Sequence, residues 1–163
     1  MLKLYLIRHG HAGDPDRWEG PDDSRPLSER GRRDLRRTAA VLARRETIDI
    51  LCTSPLVRAV QTAEIVAAAV GYGGRLVVSE ALEPEARVSR TVAWLAALEG
   101  EDSVALCAHE PILSSLAGAL LQVDRFAALR KGEAVRLRLP EGPGHPGELR
   151  WRIDPETGAR ETP

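Results

Sequence analysis

Two histidines and two arginines stand where short apolar segments of the chain end. Arg8 and His9 follow the first such segment, Arg58 lies just after the second, and His109 follows a later one. A guanidinium can hold several oxygens of a phosphoryl group at once. A histidine ring nitrogen can attack phosphorus or stabilise developing charge. These residue types therefore favour chemistry on a phosphoryl group over the binding of a carboxylate.

The segments that must position these residues alternate between strand and helix patterns. Short apolar, β-rich segments occur at residues 2–7, 48–53, 76–79 and 103–108. Helical patterns lie between and after them, at residues 28–46, 54–70, 88–98 and 111–121. This alternation predicts an α/β fold, a single three-layer domain with a mostly parallel sheet and helices on both faces. Ligands bind beyond the carboxyl ends of parallel strands, so the four residues should converge at one edge of the sheet.

The end of the chain has a different pattern. Apolar residues alternate with arginines over residues 135–139, and apolar residues alternate with charged ones over residues 149–153. A loop rich in Gly and Pro, residues 141–147, separates the two segments. This pattern predicts a C-terminal antiparallel hairpin with one buried face. We expect one domain over residues 1–154 and a disordered tail over residues 155–163.

Composition excludes several classes of protein. A chain of 163 residues is long enough for one ordinary domain, and its net charge of −1 argues against nucleic-acid or anionic-membrane partners. The longest stretch without charge, residues 111–123, falls short of the roughly 20 residues that a membrane span needs. Two cysteines, Cys52 and Cys107, lie in apolar segments and cannot form a disulfide framework. We expect buried thiols and a cytoplasmic location.

The same residues allow two other interpretations. The histidines could cap strands while the arginines form surface ion pairs. Four residues suited to phosphoryl chemistry, placed at three strand ends, argue against this purely structural explanation. His9 and His11 form an H-x-H pair, which resembles the entry motif of barrel-type metal hydrolases. That barrel needs about 250 residues, and His11 has no obvious partner after the later strands. The sequence therefore predicts no metal and no cofactor.

Four segments, in order, resemble motifs of the histidine phosphatase superfamily, which has the phosphoglycerate-mutase-like fold. The first is Arg8-His9-Gly10, and the resemblance extends over residues 2–121. The short segment between Glu83 and Ser103 is similar to that of the SixA-type phosphohistidine phosphatases rather than to that of the larger mutases. The other three motifs are Pro-Leu-Ser-Glu-Arg-Gly at 26–31, Thr-Ser-Pro-Leu-Val-Arg-Ala-Val-Gln-Thr-Ala at 53–63, and Ala-His-Glu-Pro at 108–111.

The resemblance implies roles for the residues at the strand ends. It implies that His9 is a nucleophile that takes up the phosphoryl group. Arg8 and Arg58 are implied to hold the phosphoryl oxygens, and His109 is the second histidine of the pocket.

Three further residues are candidates for the same site. Ser54 follows the second strand, Ser28 lies in the second motif, and either hydroxyl could contact the substrate. Larger members of the family carry an acidic proton donor after the third strand, and Glu83 occupies that position here. An equal alternative is that Glu83 is a loop residue, because the short branch need not carry a carboxylate there.

The resemblance implies a phosphatase that removes phosphate from phosphohistidine on a partner protein. One alternative is a broad phosphomonoesterase that acts on small phosphate esters. A different class is a binding module that retains the phosphate pocket without turnover. A nucleophile at His9 argues against the last alternative, since binding alone does not need one.

Overall fold

The computed structural model describes residues 1–98 and 100–163. The four α-helices in these residues are α1 (Glu29–Ala43), α2 (Val57–Val70), α3 (Val88–Ala96) and α4 (Ile112–Leu121). The strands are β1 (Leu2–Arg8), β2 (Ile50–Thr53), β3 (Val77–Val78), β4 (Ser103–Ala108), β5 (Ala134–Leu139), β6 (Glu148–Ile153) and β7 (Arg160–Glu161). Among the described helices, none has the length and apolar character needed to span a membrane.

The strands form a single sheet in the order β3-β2-β4-β1-β5-β6-β7. Pairing is parallel from β3 to β1 and antiparallel from β1 to β7. The predicted α/β class and the C-terminal hairpin are confirmed. The expected predominance of parallel pairing holds only for the half of the sheet that carries the helical crossovers, because β5, β6 and β7 are joined by short loops that reverse the chain.

Helices cover the sheet on both faces, which explains the continuous apolar sequence of its central strand. Leu4 and Leu6 of β1 pack in the core cluster that includes residues of α3 and α4. Tyr5 and Ile7 pack in the opposite cluster with residues of α1 and α2. Alternate residues of β1 thus point into two different apolar layers, so residues 4–7 are all fully buried.

The register between β1 and β4 aligns the two histidines that follow them. Arg8 lies opposite Ala108, and the His9 N–H donates to the Ala108 carbonyl at 3.0 Å. His9 and His109 therefore leave the sheet side by side. On the other side of β4, the Ser54 N–H donates to the Cys107 carbonyl at 3.1 Å. Three chain segments thus reach the same edge of the sheet at the same level.

The prediction that residues 155–163 are disordered is wrong. Arg160–Glu161 forms β7, which pairs with β6. Asp154 starts the connecting turn, because its Oδ1 accepts the N–H groups of Glu156 at 2.7 Å and Thr157 at 3.0 Å. The Pro and Gly of this segment belong to an ordered turn. Composition alone does not distinguish such a turn from a disordered tail.

The segment after β1 is fixed to the start of α1. Ser28 is the N-cap of α1, and its Oγ accepts the Gly31 N–H at 3.1 Å. Gly31 lies against the backbone of His11, so closely that a Cβ there would overlap the His11 carbonyl oxygen. The glycine of the Pro-Leu-Ser-Glu-Arg-Gly motif is thus explained by a close approach of two backbones.

We expect Gly31→Ala to lower both stability and turnover. Alanine is normally about 0.5–1 kcal/mol better than glycine inside a helix. Here the new Cβ displaces the backbone two residues after His9, and overpacking of this kind costs about 1–3 kcal/mol. Denaturant unfolding and kcat/KM measure the two effects. Gly73→Ala is the matched control, because a Cβ at Gly73 meets no atom within 4 Å; equal behaviour of the two variants would contradict the account.

Candidate active site

Two buried histidines face each other at the carboxyl ends of β1 and β4. His9 is 6% exposed and His109 is 1% exposed. Their ring centroids lie 5.0 Å apart, with the ring planes inclined at 54°. The predicted convergence of these two residues is therefore observed, and it results from the register of the two parallel strands.

The hydrogen bond of His9 fixes which ring nitrogen carries the proton. His9 Nδ1 lies 2.7 Å from the Gly10 carbonyl oxygen. A carbonyl can only accept, so Nδ1 donates and Nε2 keeps its lone pair. Burial, assisted by the charges of Arg58 and Arg8, lowers the pKa of His9 to about 3, although the hydrogen bond to Gly10 opposes the shift. His9 is therefore a neutral imidazole with an available Nε2 at neutral pH.

His109 is held by Ser54. The Ser54 Oγ lies 2.6 Å from His109 Nε2 and accepts the Leu56 N–H at 3.3 Å. Burial lowers the pKa of His109 to about 3, and the neighbouring His9 and Arg58 act in the same direction. Within the described part of the chain, His109 Nε2 is the only acceptor within reach of the Ser54 hydroxyl proton, so we assign that proton to the bond with Nε2. This arrangement leaves the proton of the neutral ring on Nδ1.

The structure changes the interpretation of Ser54. Ser54 is predicted to contact the substrate, and its position directly before Pro55 is also typical of a helix N-cap. In the structure the N-cap is Leu56, which makes no side-chain capping bond, and α2 begins at Val57. The hydroxyl of Ser54 is used by His109 instead, so Ser54 acts on the site through that ring.

Arg8 is anchored by the segment that precedes β5. Its Nη1 donates to the Leu129 carbonyl at 2.7 Å. The Leu129 N–H in turn donates to the Glu110 carboxylate at 2.9 Å. Glu110, the residue after His109, thus helps to hold the guanidinium that precedes His9. The sequence analysis did not identify this role of Glu110, because the contact depends on a loop that carries no motif.

Arg58 projects from the first turn of α2 and is 5% exposed. Its Nη1 donates to the Asp22 carbonyl at 3.0 Å, and its Nη2 donates to the Asp22 carboxylate at 3.1 Å. Arg25 Nε donates to the same carboxylate at 3.1 Å. Burial acts to raise the pKa of Asp22, but the hydrogen bond from Arg25 and the charge of Arg58 outweigh it and the pKa is lowered. Asp22 is an ionised support for Arg58, and nothing in its sequence context separates it from the other aspartates of that loop.

Buried donors without a partner concentrate at this edge of the sheet. Among the described residues, five buried side-chain polar atoms make no hydrogen bond, and three of these are Arg8 Nε, Arg58 Nε and His109 Nδ1. Guanidinium nitrogens are donors only, and His109 Nδ1 carries a proton in the tautomer described above. Buried donors are normally satisfied, so three of them around His9 match a ligand that is rich in acceptor oxygens.

Ser28 and His11 form a separate contact. The Ser28 Oγ lies 2.7 Å from His11 Nδ1, caps α1 and donates to the His11 carbonyl at 3.1 Å. The hydroxyl is fully used within the protein, which argues against the predicted contact of Ser28 with substrate. The rings of His9 and His11 have different partners, and residues 1–98 and 100–163 contain no group of three or more His, Cys, Asp or Glu that could hold a metal ion.

Glu83 lies on the Arg58 side of the site. It follows the short turn Glu80–Leu82 and is half-buried. With Asp22 and Leu56 it lines a cavity of about 200 Å³. Glu83 therefore shares a cavity with the carboxylate that contacts Arg58.

Comparison with known proteins agrees with this geometry. A model of the histidine phosphatase superfamily (branch 1) matches residues 4–83. An uncharacterized protein of Picosynechococcus sp. is 34% identical over 145 residues, which cover 84% of this chain and 85% of that protein. The chain belongs to the histidine phosphatase superfamily. Arg8, His9 and Arg58 of this histidine phosphatase lie within the matched residues, whereas His109 lies beyond them.

Solved structures refine the relationship. The structure of the protein histidine phosphatase SixA complexed with tungstate is 27% identical, with a TM-score of 0.86, and the match covers 94% of this chain and 97% of that chain. A candidate phosphohistidine phosphatase SixA from Agrobacterium tumefaciens is 25% identical, with a TM-score of 0.73 and coverage of 86% and 96%. This histidine phosphatase is therefore SixA-like.

The neutral, buried state of His109 predicts how stability depends on pH. The folded protein keeps this ring unprotonated, with a pKa of about 3, while the unfolded chain binds a proton below a pKa of 6.5. The stabilisation is complete above pH 6.5 and is lost as the pH falls from 6.5 towards 3. His109→Gln removes the titrating group, so between pH 7 and pH 5 the variant should lose about 2 kcal/mol less of its free energy of unfolding than the wild type.

Denaturant unfolding at the two pH values measures the difference. Glutamine at position 109 retains a side-chain amide that can bond to Ser54. Each protein is compared with itself at the two pH values, so any loss of stability that the substitution causes at pH 7 cancels. Equal losses in the variant and the wild type would show that His109 is protonated in the folded protein at pH 5.

Proposed function

We propose that this histidine phosphatase removes the phosphoryl group from phosphohistidine on a partner protein, through a covalent intermediate on His9. The observation that carries the proposal is the neutral His9 ring, with Nε2 available, beside the unpartnered donors of Arg8, Arg58 and His109. A binding pocket needs the donors but does not need a neutral nucleophile among them.

The first step transfers the phosphoryl group to His9. Nε2 attacks phosphorus, an Nε2–P bond forms, and the bond from phosphorus to the leaving nitrogen of the substrate breaks. The electron pair of that bond stays on the substrate imidazole. The positive charge that develops on the His9 ring is stabilised by the Nδ1–H bond to the Gly10 carbonyl, which also holds the ring in position.

The surrounding donors stabilise the phosphoryl oxygens during transfer. Arg8 and Arg58 are anchored through their Nη atoms, which leaves the Nε of each without a protein partner. The neutral His109 offers Nδ1–H as a third donor. Donors that are fixed before the reaction and excluded from water stabilise developing charge strongly, and removal of one such donor typically costs about 10²–10³ in rate.

The second step releases phosphate. Water attacks phosphorus, an O–P bond forms, and the Nε2–P bond breaks. The electron pair returns to His9 Nε2, and the protons of the water leave with the product as dihydrogen phosphate. Two guanidiniums supply the positive charge that neutralises the phosphoryl oxygens in both steps. We propose that the reaction therefore needs no metal ion.

Two features support phosphohistidine as the substrate. Between Glu83 and β4 the described residues form one helix, α3, and so short a segment supplies less chain to cover the site than a longer insertion would. The likeness to the protein histidine phosphatase SixA extends over nearly the whole of both chains. A phosphorylated imidazole can leave as neutral imidazole, so it needs less help from an enzyme proton donor than an alkoxide does.

We expect a phosphoryl group to be recovered on His9. Wild-type protein quenched during turnover of a phosphohistidine protein should carry phosphate that is labile in acid and stable in base. His9→Ala should abolish both the labelled intermediate and turnover, because the attacking atom is lost. Radiolabel transfer followed by peptide mapping locates the group.

His145→Ala is the matched control, since His145 lies exposed on the hairpin loop. It should retain labelling and turnover. Full activity of His9→Ala would contradict the covalent mechanism, and tight phosphate binding by the wild type without any turnover would favour the binding module.

Substitution of Glu83 distinguishes the two substrate classes, small phosphate esters and phosphohistidine proteins. A positioned general acid is typically worth about 10²–10⁴ in rate for an ester leaving group. We expect Glu83→Gln to slow hydrolysis of an aryl or alkyl phosphate more than dephosphorylation of a phosphohistidine protein. The ratio of the two kcat/KM values, variant against wild type, measures the difference.

Glu85→Gln controls for the loss of charge, because Glu85 lines the same cavity as Glu83. The control variant should change kcat/KM for both substrates by the same factor. Efficient turnover of small esters by the wild type, with none on phosphohistidine, would overturn the assignment of the substrate in favour of a small-molecule phosphomonoesterase.

A further inference from the structure

A second cavity adjoins the candidate active site on the side of Arg8. It has a volume of about 330 Å³, and Arg8 lines it together with His11 and three further cations. The acidic residues that line it are Asp34 and Glu156. The three cations are Arg30, Arg130 and Lys131. This cavity, which we call the basic cavity, therefore carries an excess of positive charge.

Most cations of the basic cavity are used within the protein, but Lys131 is not. Arg30 pairs with Asp34 at 3.8 Å, and Arg130 pairs with Asp154 at 3.1 Å. The Lys131 ammonium makes no hydrogen bond or ion pair with any residue in the described part of the chain, and it is exposed. Lys131 is one of only two lysines in the sequence. A free ammonium at this position is available to a ligand.

The backbone holds Lys131 beside His9. The N–H of the next residue, Gly132, donates to the carbonyls of both Arg8 and His9, at 3.2 and 3.1 Å. The Gly132 carbonyl accepts from Thr38 Oγ1 at 2.7 Å. Gly132 has a φ of +79°, a conformation that glycine adopts without strain. The residue before it is therefore fixed next to the strand end that carries His9, and its charge contributes to the lowered pKa of His9.

The opposite side of the site, beside Arg58, is lined by negatively charged residues. The cavity beside Arg58 is lined by the carboxylates of Asp22, Asp23, Glu83 and Glu85. A substrate group with negative charge is repelled from that side and attracted to the side of Arg8. The two cavities thus define an orientation for a substrate that has a second charged group.

We propose that Lys131 binds a carboxylate of the substrate beside the phosphoryl group that His9 receives. This inference rests on the proposed function and specifies its substrate further, as a phosphorylated molecule with a carboxylate near the phosphoryl group. The carboxylate belongs either to an acidic side chain near the phosphohistidine of a protein or to a small phosphorylated acid.

Binding of phosphonates tests the subsite without turnover. The probes are phosphonoacetate and phosphonopropionate, each compared with the methyl ester of its carboxylate, by titration calorimetry. In the wild type at least one acid should bind about threefold to tenfold more tightly than its ester, because a single charge-assisted contact is formed at a partly exposed site. In Lys131→Gln that preference should fall close to one.

Lys3→Gln is the matched control, because it removes the other lysine of the chain at the amino-terminal end of β1. It should keep the wild-type preference. Equal binding of acids and esters by the wild type, or an unchanged preference in Lys131→Gln, would overturn the proposal. These results do not depend on catalysis, so a failure of the subsite is distinct from a failure to find phosphatase activity.

Turnover of peptides identifies the source of the carboxylate. Phosphohistidine peptides with Glu or Gln next to the phosphorylated residue are compared by kcat/KM in wild type and Lys131→Gln. A preference for Glu that Lys131→Gln removes assigns the subsite to an acidic side chain of a protein. A preference confined to the small phosphonates assigns it to a small phosphorylated acid.

Discussion

The candidate site depends on keeping two imidazoles uncharged in a buried position beside two guanidiniums. Burial penalises protonation of His9 and His109, and the positive charges of Arg8 and Arg58 penalise it further. The result is an edge of the sheet with positive charge held only by groups that cannot give up a proton near neutral pH. The same constraint leaves a lone pair on His9 Nε2, which chemistry on phosphorus requires.

Each member of this cluster is held by a residue outside it. Ser54 fixes the ring of His109, Asp22 engages both Nη atoms of Arg58, and Leu129 fixes Arg8. Such partners determine tautomer and orientation. In metal sites, the loss of a residue that orients a ligand in this way typically costs about 10-fold to 100-fold in affinity or activity. The site is therefore a property of the loops after β1, β2 and β4 together, and the parallel register of those strands brings the loops to one level.

The four central residues could be predicted because each follows an apolar strand segment or opens the helix after one. Parallel strands bring such positions together whatever the details of packing. The supporting contacts could not be predicted. Asp22 and Lys131 lie in loops without periodicity, and Ser54 has the sequence context of a helix cap. The ordered turn after Asp154 has the composition of a flexible tail, and only the pairing of β7 with β6 distinguishes the two.

The protonation state of the two histidines is the most direct test of this account. Nuclear magnetic resonance of protein labelled with ¹⁵N-histidine reports both the charge and the tautomer of each ring. The account predicts that His9 and His109 are neutral at pH 7 and remain so at pH 5, each with its proton on Nδ1. An imidazolium signal for His9 at pH 7, or a proton on its Nε2, would contradict it.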